Sequence, residues 1–154
     1  MGLFEKFKKK NETHKESYSK EQKELKFIIG NAFLGKRATD AEITQAEQKL
    51  ALKIPDPFIW FLKEYGCGGY WFDIMGYCKN GKPEFVEITL EQRKNGLPEK
   101  YIIIEDCDEF YYCIDSVSGK ISSWSQYDKD GIRERFDNFY KFFKDNLQNA
   151  MDNF

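Results

Sequence analysis

The stretch Ile54–Trp71, IPDPFIWFLKEYGCGGYW, constrains the fold more than any other part of the chain. Prolines stand at one end and glycines at the other. Between them Phe58, Phe61, Leu62 and Tyr65 recur at i, i+3, i+4 and i+7, one face of a helix. Asp56 is placed to cap that helix, with Pro57 at the first position, where a missing N–H costs nothing. Gly66 follows Tyr65 as a C-terminal stop, because glycine enters the left-handed region freely. The result is a short helix of fixed length whose apolar face requires a second layer.

The glycines after it raise the question of chemistry. A phosphate loop needs G-x-x-x-x-G-K followed by Ser or Thr, after a strand and before a helix. Here Gly66, Gly68 and Gly69 follow a helix, and no lysine comes next. Cys67 has no downstream histidine to activate it, since His14 is the only one. Gly68 and Gly69 therefore read as a tight entry into a strand over Tyr70–Tyr77. Cys67, Cys78, Cys107 and Cys113 form no C-x-x-C pair and lack zinc spacing, so they are expected to be reduced, mostly buried thiols.

Upstream, Leu25, Ile28, Ile29, Ala32 and Phe33 mark a helix from Glu21, with Gly35 as its stop. Thr39-Asp-Ala-Glu42 is a capping box opening a helix that buries Ile43, Ala46 and Leu50. Downstream, Asn80-Gly81 signals a hairpin turn. Phe85–Ile88 reads as a strand, and 89–95 as a short helix stopped by Gly96. Tyr101–Ile104 is a continuous apolar run suited to a central strand. Phe110–Asp115 and Lys120–Trp124 read as two further strands about a turn at Ser116–Gly119. The stripe Ile132, Phe136, Phe139, Phe143, Leu147 and Ala150 reads as one long closing helix. Helices, then antiparallel strands, then a helix predict an α+β domain with about five to six strands over 21–154.

Composition adds two constraints. Aromatics reach 17%, with Phe 14 and Tyr 9, so the expected core is rich in phenylalanine. The net charge of −2 gives no reason to expect nucleic-acid binding, but its distribution is uneven. Residues 1–38 carry 10 Lys/Arg against 5 Glu, whereas residues 39–154 carry 14 Lys/Arg against 21 Asp/Glu. The segment 5–20 is charged and almost free of apolar groups, which predicts a mobile leader over 1–20. No apolar run is long enough to span a membrane. The start has no secretory h-region, and Lys6 stands where a myristoylation motif after Gly2 wants Ser or Thr. The expected location is the cytoplasm.

The run TDAEITQAEQKL followed by IPDPFIWFLKEYGCGG resembles the helical signature of the SUKH superfamily, Smi/Knr type. LPEKYIIIEDCDEFYYCIDS is similar to its Leu-Pro, apolar strand, acidic turn and aromatic strand. GKISSW and RFDNFYKFF resemble its later strand and closing helix, with Arg135 where a small residue is common. The resemblance covers about residues 22–147. It implies a helix-flanked antiparallel sheet, no catalysis and no cofactor. It further implies a binding role. Bacterial members are often immunity proteins that neutralise toxin domains of polymorphic toxin systems, and fungal relatives are regulatory adaptors of cell-wall signalling.

Charge points to a surface for such binding. Residues 84–115 hold nine acids (Glu84, Glu87, Glu91, Glu99, Glu105, Asp106, Asp108, Glu109, Asp115) against three bases (Arg93, Lys94, Lys100). Glu105, Asp106, Asp108 and Glu109 crowd into one turn, and an acidic surface of this kind suits a basic nuclease toxin. Equally, such a turn is simply well solvated. The candidate partner-binding set is Trp71, Asp73, Glu105, Asp106, Asp108, Glu109, Tyr111 and Trp124, with the aromatics as exposed anchors. Thr39, Glu42, Pro57, Gly66 and Gly69 are assigned structural roles. The same carboxylates offer themselves to Mg²⁺ or to acid–base work, but no second cluster or nucleophile converges on them, so neither a metal site nor an enzyme is expected. Immunity protein and regulatory adaptor both remain open.

Overall fold

The computed structural model of the chain describes residues 20–29, 35–69 and 72–153. The chain divides into two units, Met1–Gly30 and Asn31–Phe154. In the first, helix α1 spans 20–29. The leader 1–20 lies outside the described residues except for Lys20, where α1 begins, and Ala32 and Phe33 also lie outside them.

The second unit opens with α2, Asp40–Leu50. Its capping box is complete. The Glu42 N–H donates to Thr39 Oγ1 at 3.2 Å, and the Thr39 N–H donates to the Glu42 carboxylate at 3.1 Å. The carboxylate also receives Lys36, which holds its pKa below the usual range. Helix α3, Asp56–Glu64, has Phe58, Phe61 and Leu62 buried. Pro55 is its cap residue, so Asp56 is the first helical position and Pro57 the second; no side chain caps the end, and the cap expected of Asp56 is not made. Gly66 closes the helix with φ +81, its N–H donating to Phe61 O at 3.3 Å.

Three segments differ from the sequence reading. Phe85–Ile88 is not a strand but the first half of α4, Glu84–Arg93. Val86, Ile88 and Thr89 favour strands, yet Phe85, Val86, Thr89 and Gln92 are the buried positions, and their i, i+1, i+4, i+7 spacing is helical. Over the described part of Tyr70–Tyr77 there is no strand either, only single bridges from Ile74 to Gly68 and to Glu105 and from Tyr77 to Pro83. The backbone passes closely here, which only glycine allows: a Cβ on Gly76 would lie 1.8 Å from Gly66 O, and one on Gly69 would lie 2.2 Å from Phe72 O. Lastly, the stripe from Ile132 is not one helix. Ile132–Phe136 is a strand, and helix α5 begins at Phe139, capped by Asn138, and runs to Asp152.

The sheet consequently has four strands rather than five to six, in the order β1-β2-β3-β4, all antiparallel. They are β1 Tyr101–Asp106, β2 Tyr111–Asp115, β3 Ile121–Trp124 and β4 Ile132–Phe136. With the five helices of the described residues this is an α+β fold. One face packs on α5 through Phe136, Phe142 and Tyr112, with Tyr112 and Phe142 centroids 5.0 Å apart. Phe58, Phe61, Phe85, Phe139, Phe142 and Phe143 are fully buried and form the expected phenylalanine core. A second cluster holds Leu97, Tyr101, Ile103, Cys113 and Trp124.

The two sheet edges are treated differently. On β1 the outward Ile103 N–H donates to Thr89 Oγ1 at 2.9 Å, and Ile104 O accepts the Met75 N–H at 2.7 Å. Helix α4 and the segment 72–75 thus seal that edge. Among the described strands nothing pairs with the outer edge of β4.

Candidate functional site

The acidic turn joins β1 to β2 and owes part of its sequence to its geometry. Asp108 has φ +64, a conformation that aspartate tolerates better than most residues. Its N–H donates to Asp106 Oδ1 at 2.9 Å, the Asx arrangement that makes Asp a turn residue. The Cys107 N–H donates to Phe110 O at 2.9 Å and closes the loop. These bonds leave Asp106, Asp108 and Glu109 exposed at the end of the sheet.

Glu105 does not share that surface. It is 4% exposed, and its Oε2 has no hydrogen-bond partner. Burial raises its pKa to about 7 against a pull from the Cys107 thiol, with Asp73 adding to the rise. Trp124 is also withdrawn, at 4% exposure, because it packs into the second cluster. It lies under Tyr111, with the rings stacked at 6.2 Å and 26°. Tyr111 remains half-buried, its hydroxyl accepting from Gln92 Nε2 at 3.3 Å. Asp73 is exposed on the segment beside Glu105, and Trp71 lies outside the described residues.

Two residues join this set that the sequence reading missed as anchors. The Tyr111 hydroxyl is pushed up first by burial, then by the charges of Asp106, Glu91 and Tyr127, so all three bear on it electrostatically. Glu91 comes from the exposed side of α4, and Tyr127, 87% exposed, comes from the β3–β4 hairpin. Reading one helix from Ile132 concealed that hairpin. The Asp130-Gly131 pair before an apolar residue was the signal that could have found it. Beside Tyr127 an open groove of about 590 Å³ is lined by Glu109, Phe110, Ser123, Lys129, Arg133 and Arg135 among others. Arg135 is held there by its Nε–H donating to Ser123 Oγ at 2.9 Å.

The thiols offer no nucleophile. Cys113 is buried and Cys67, Cys78 and Cys107 half-buried, all without disulfides. Burial pushes Cys67 up, Cys78 to about 11, and Cys107 and Cys113 each to about 12. The thiolate is the reactive form, so these groups are suppressed. Gly68 and Ile74 exchange both backbone bonds, at 3.0 and 3.1 Å, which makes the glycine run a turn. Among the described residues no group of three or more His, Cys, Asp or Glu side chains could hold a metal ion. Among them, too, no helix is long and apolar enough to cross a membrane.

The arrangement is thus an exposed acidic turn beside a half-buried tyrosine and an open groove. Residues 16–148 match the family model described as "SUKH_5: SMI1-KNR4 cell-wall". That family acts through protein–protein interaction, in immunity and regulatory roles, and is generally non-enzymatic. The match spans most of the chain and includes both the acidic turn and the groove, and this chain belongs to the SUKH family of the SMI1-KNR4 type.

Proposed function

We propose that this chain is an immunity protein that binds a cognate toxin domain directly and neutralises it. The observation that carries the reading is the convergence of Asp106, Asp108 and Glu109 with Tyr111, Glu91 and Tyr127 at one end of the sheet. Exposed acids draw in a basic partner and speed encounter, while a buried aromatic base supplies a contact with low entropy cost. A nuclease domain fits this chemistry, because an enzyme of a polyanion presents a basic face. The acidic surface is narrower than the sequence suggested, since Glu105 is withdrawn beneath it.

The test requires a toxin gene beside this protein's gene and uses the toxin domain that such a gene encodes. The variant Glu91→Lys, Glu109→Lys changes only exposed side chains and leaves the Asp106–Asp108 turn bond in place. It is expected to keep the wild-type circular dichroism and to associate at least tenfold more slowly at low salt. The difference should narrow as salt rises, because screening acts over about 10 Å at 0.1 M. Wild-type association by this variant at low ionic strength would remove the acidic edge from the interface. Absence of any binding to the neighbouring toxin would leave the adaptor role, with another protein as partner.

A further inference from the structure

Glu105 is a buried acid placed where two pieces of backbone meet. It follows a bulge in β1, where the register with β2 shifts between Ile103 and Glu105. Across β1's outer edge, Ile74 forms a bridge to Glu105, and the neighbouring Met75 N–H donates to Ile104 O at 2.7 Å. The 72–75 segment is a strap laid along this edge. It is tied at its other side by the reciprocal bonds between Ile74 and Gly68. The groups facing the Glu105 carboxyl come from each element around it. Asp73 comes from the strap, Cys107 from the turn, and Tyr112 from β2, opposite Glu105 in the register. All are acids or weak acids, and among the described residues no lysine or arginine contributes to the environment of this carboxyl.

We infer that Glu105 is a proton-operated clasp: protonated, it lets the 72–75 strap lie on β1, and ionised, it loosens the strap while the sheet behind stays folded. The physical reason is that the neutral carboxyl loses little by burial, whereas its anion has an oxygen with no donor and a second carboxylate, Asp73, nearby. Relief is available only by movement, and the strap is the movable side. The β1 side is fixed by the ladder to β2, whereas the strap's backbone holds on through single bridges and its anchorage is the buried Ile74 and the half-buried Met75. A pKa near 7 places the transition in the neutral range. Opening the strap displaces Asp73 and adds a carboxylate to the acidic end of the sheet. This inference stands apart from the proposed toxin partner and is tested without one.

The experiment is amide hydrogen exchange on the full-length protein between pH 6 and pH 8. It follows the Ile74 and Met75 amides against the β2 amides of Cys113 and Ile114. Relative to the base-catalysed increase, wild-type strap amides should exchange up to about tenfold faster at pH 8 than at pH 6, most of it gained by pH 7, while the β2 amides follow that increase. In Glu105→Gln the strap should follow it too, because the amide side chain has no charge to relieve. Equal strap behaviour in wild type and Glu105→Gln overturns the clasp. So does parallel acceleration of the β2 amides, which would mean opening of the whole sheet. As a second measurement on unmodified protein, the Glu105 carboxyl carbon should titrate with the same midpoint as the strap amide shifts, and titration in the ordinary glutamate range refutes the inference.

Discussion

Replacing Thr89 with valine separates a hydrogen bond from the packing around it. Thr89 is fully buried on α4, and its hydroxyl does two things. It donates to Phe85 O at 2.6 Å within the helix, and it accepts the Ile103 N–H at 2.9 Å from the edge of β1. Valine has nearly the same shape and helix propensity, so Thr89→Val removes the acceptor and leaves the cavity filled. Phe85 O sits in the helix and loses only a second donor. Ile103 N–H, at a fully buried residue, loses its acceptor. Leaving a buried donor unsatisfied costs about 1–3 kcal/mol, so a loss of about 2 kcal/mol is expected. For a chain of this size that lowers the melting temperature by roughly 4–8 °C. Thr89→Ser keeps the hydroxyl and loses one methyl, worth about 1 kcal/mol. The assay is urea and thermal unfolding of wild type and both variants. Serine should be the milder change, although it leaves the larger void. A valine variant as stable as wild type, or more stable than the serine variant, would refute the idea that this hydroxyl seals the sheet edge.

Three further outcomes are expected. Gly66→Val should destabilise by about 2 kcal/mol or more, measured by urea unfolding, because a side chain there is forced to positive φ and its Cβ would meet Lys36 O at 2.3 Å; a neutral result would contradict the left-handed helix stop. Glu105 should make stability fall with rising pH. Its folded pKa is raised from 4.5 to about 7, so the stabilisation is complete below about 4.5 and is lost as pH passes 7. Across that window the difference between wild type and Glu105→Gln should change by roughly 3 kcal/mol, and a constant difference would refute the burial of that carboxyl. Cys67→Ala should keep partner binding, because burial disfavours its thiolate; loss of binding with intact folding would restore a thiol role.

Much of the fold was legible in the sequence because its signals were local. The Thr39–Glu42 box, the left-handed Gly66 and the run Tyr101–Ile104 each carry their cause within a few residues. The misread segments depend on contacts far along the chain. Val86, Ile88 and Thr89 have strand chemistry, yet helix α4 is the element that places Thr89 on Ile103. Ile132 and Phe136 are spaced for either a helix or a strand with one bulge, and only pairing with Trp124 and Ile121 decides. Within the candidate site, Asp106, Asp108 and Glu109 were correctly read as a turn. Glu105 was not separable from them, because strand alternation at a bulge is set by the partner strand. Tyr127 and Glu91 reach Tyr111 only through tertiary folding.

The edge of β4 has a consequence for how copies of this molecule meet in solution. Two copies laid antiparallel along the regular part of that strand, Ile132 to Glu134, before the irregularity at 135, can oppose only residues whose backbone groups point the same way. Arg133 then meets Arg133, or Glu134 meets Glu134. Each arrangement sets like charges face to face, which disfavours the pair. The sequence Ile-Arg-Glu-Arg-Phe thus disfavours a closed β4–β4 dimer, and because the β1 edge is sealed such a pair would end there and not extend into a fibre.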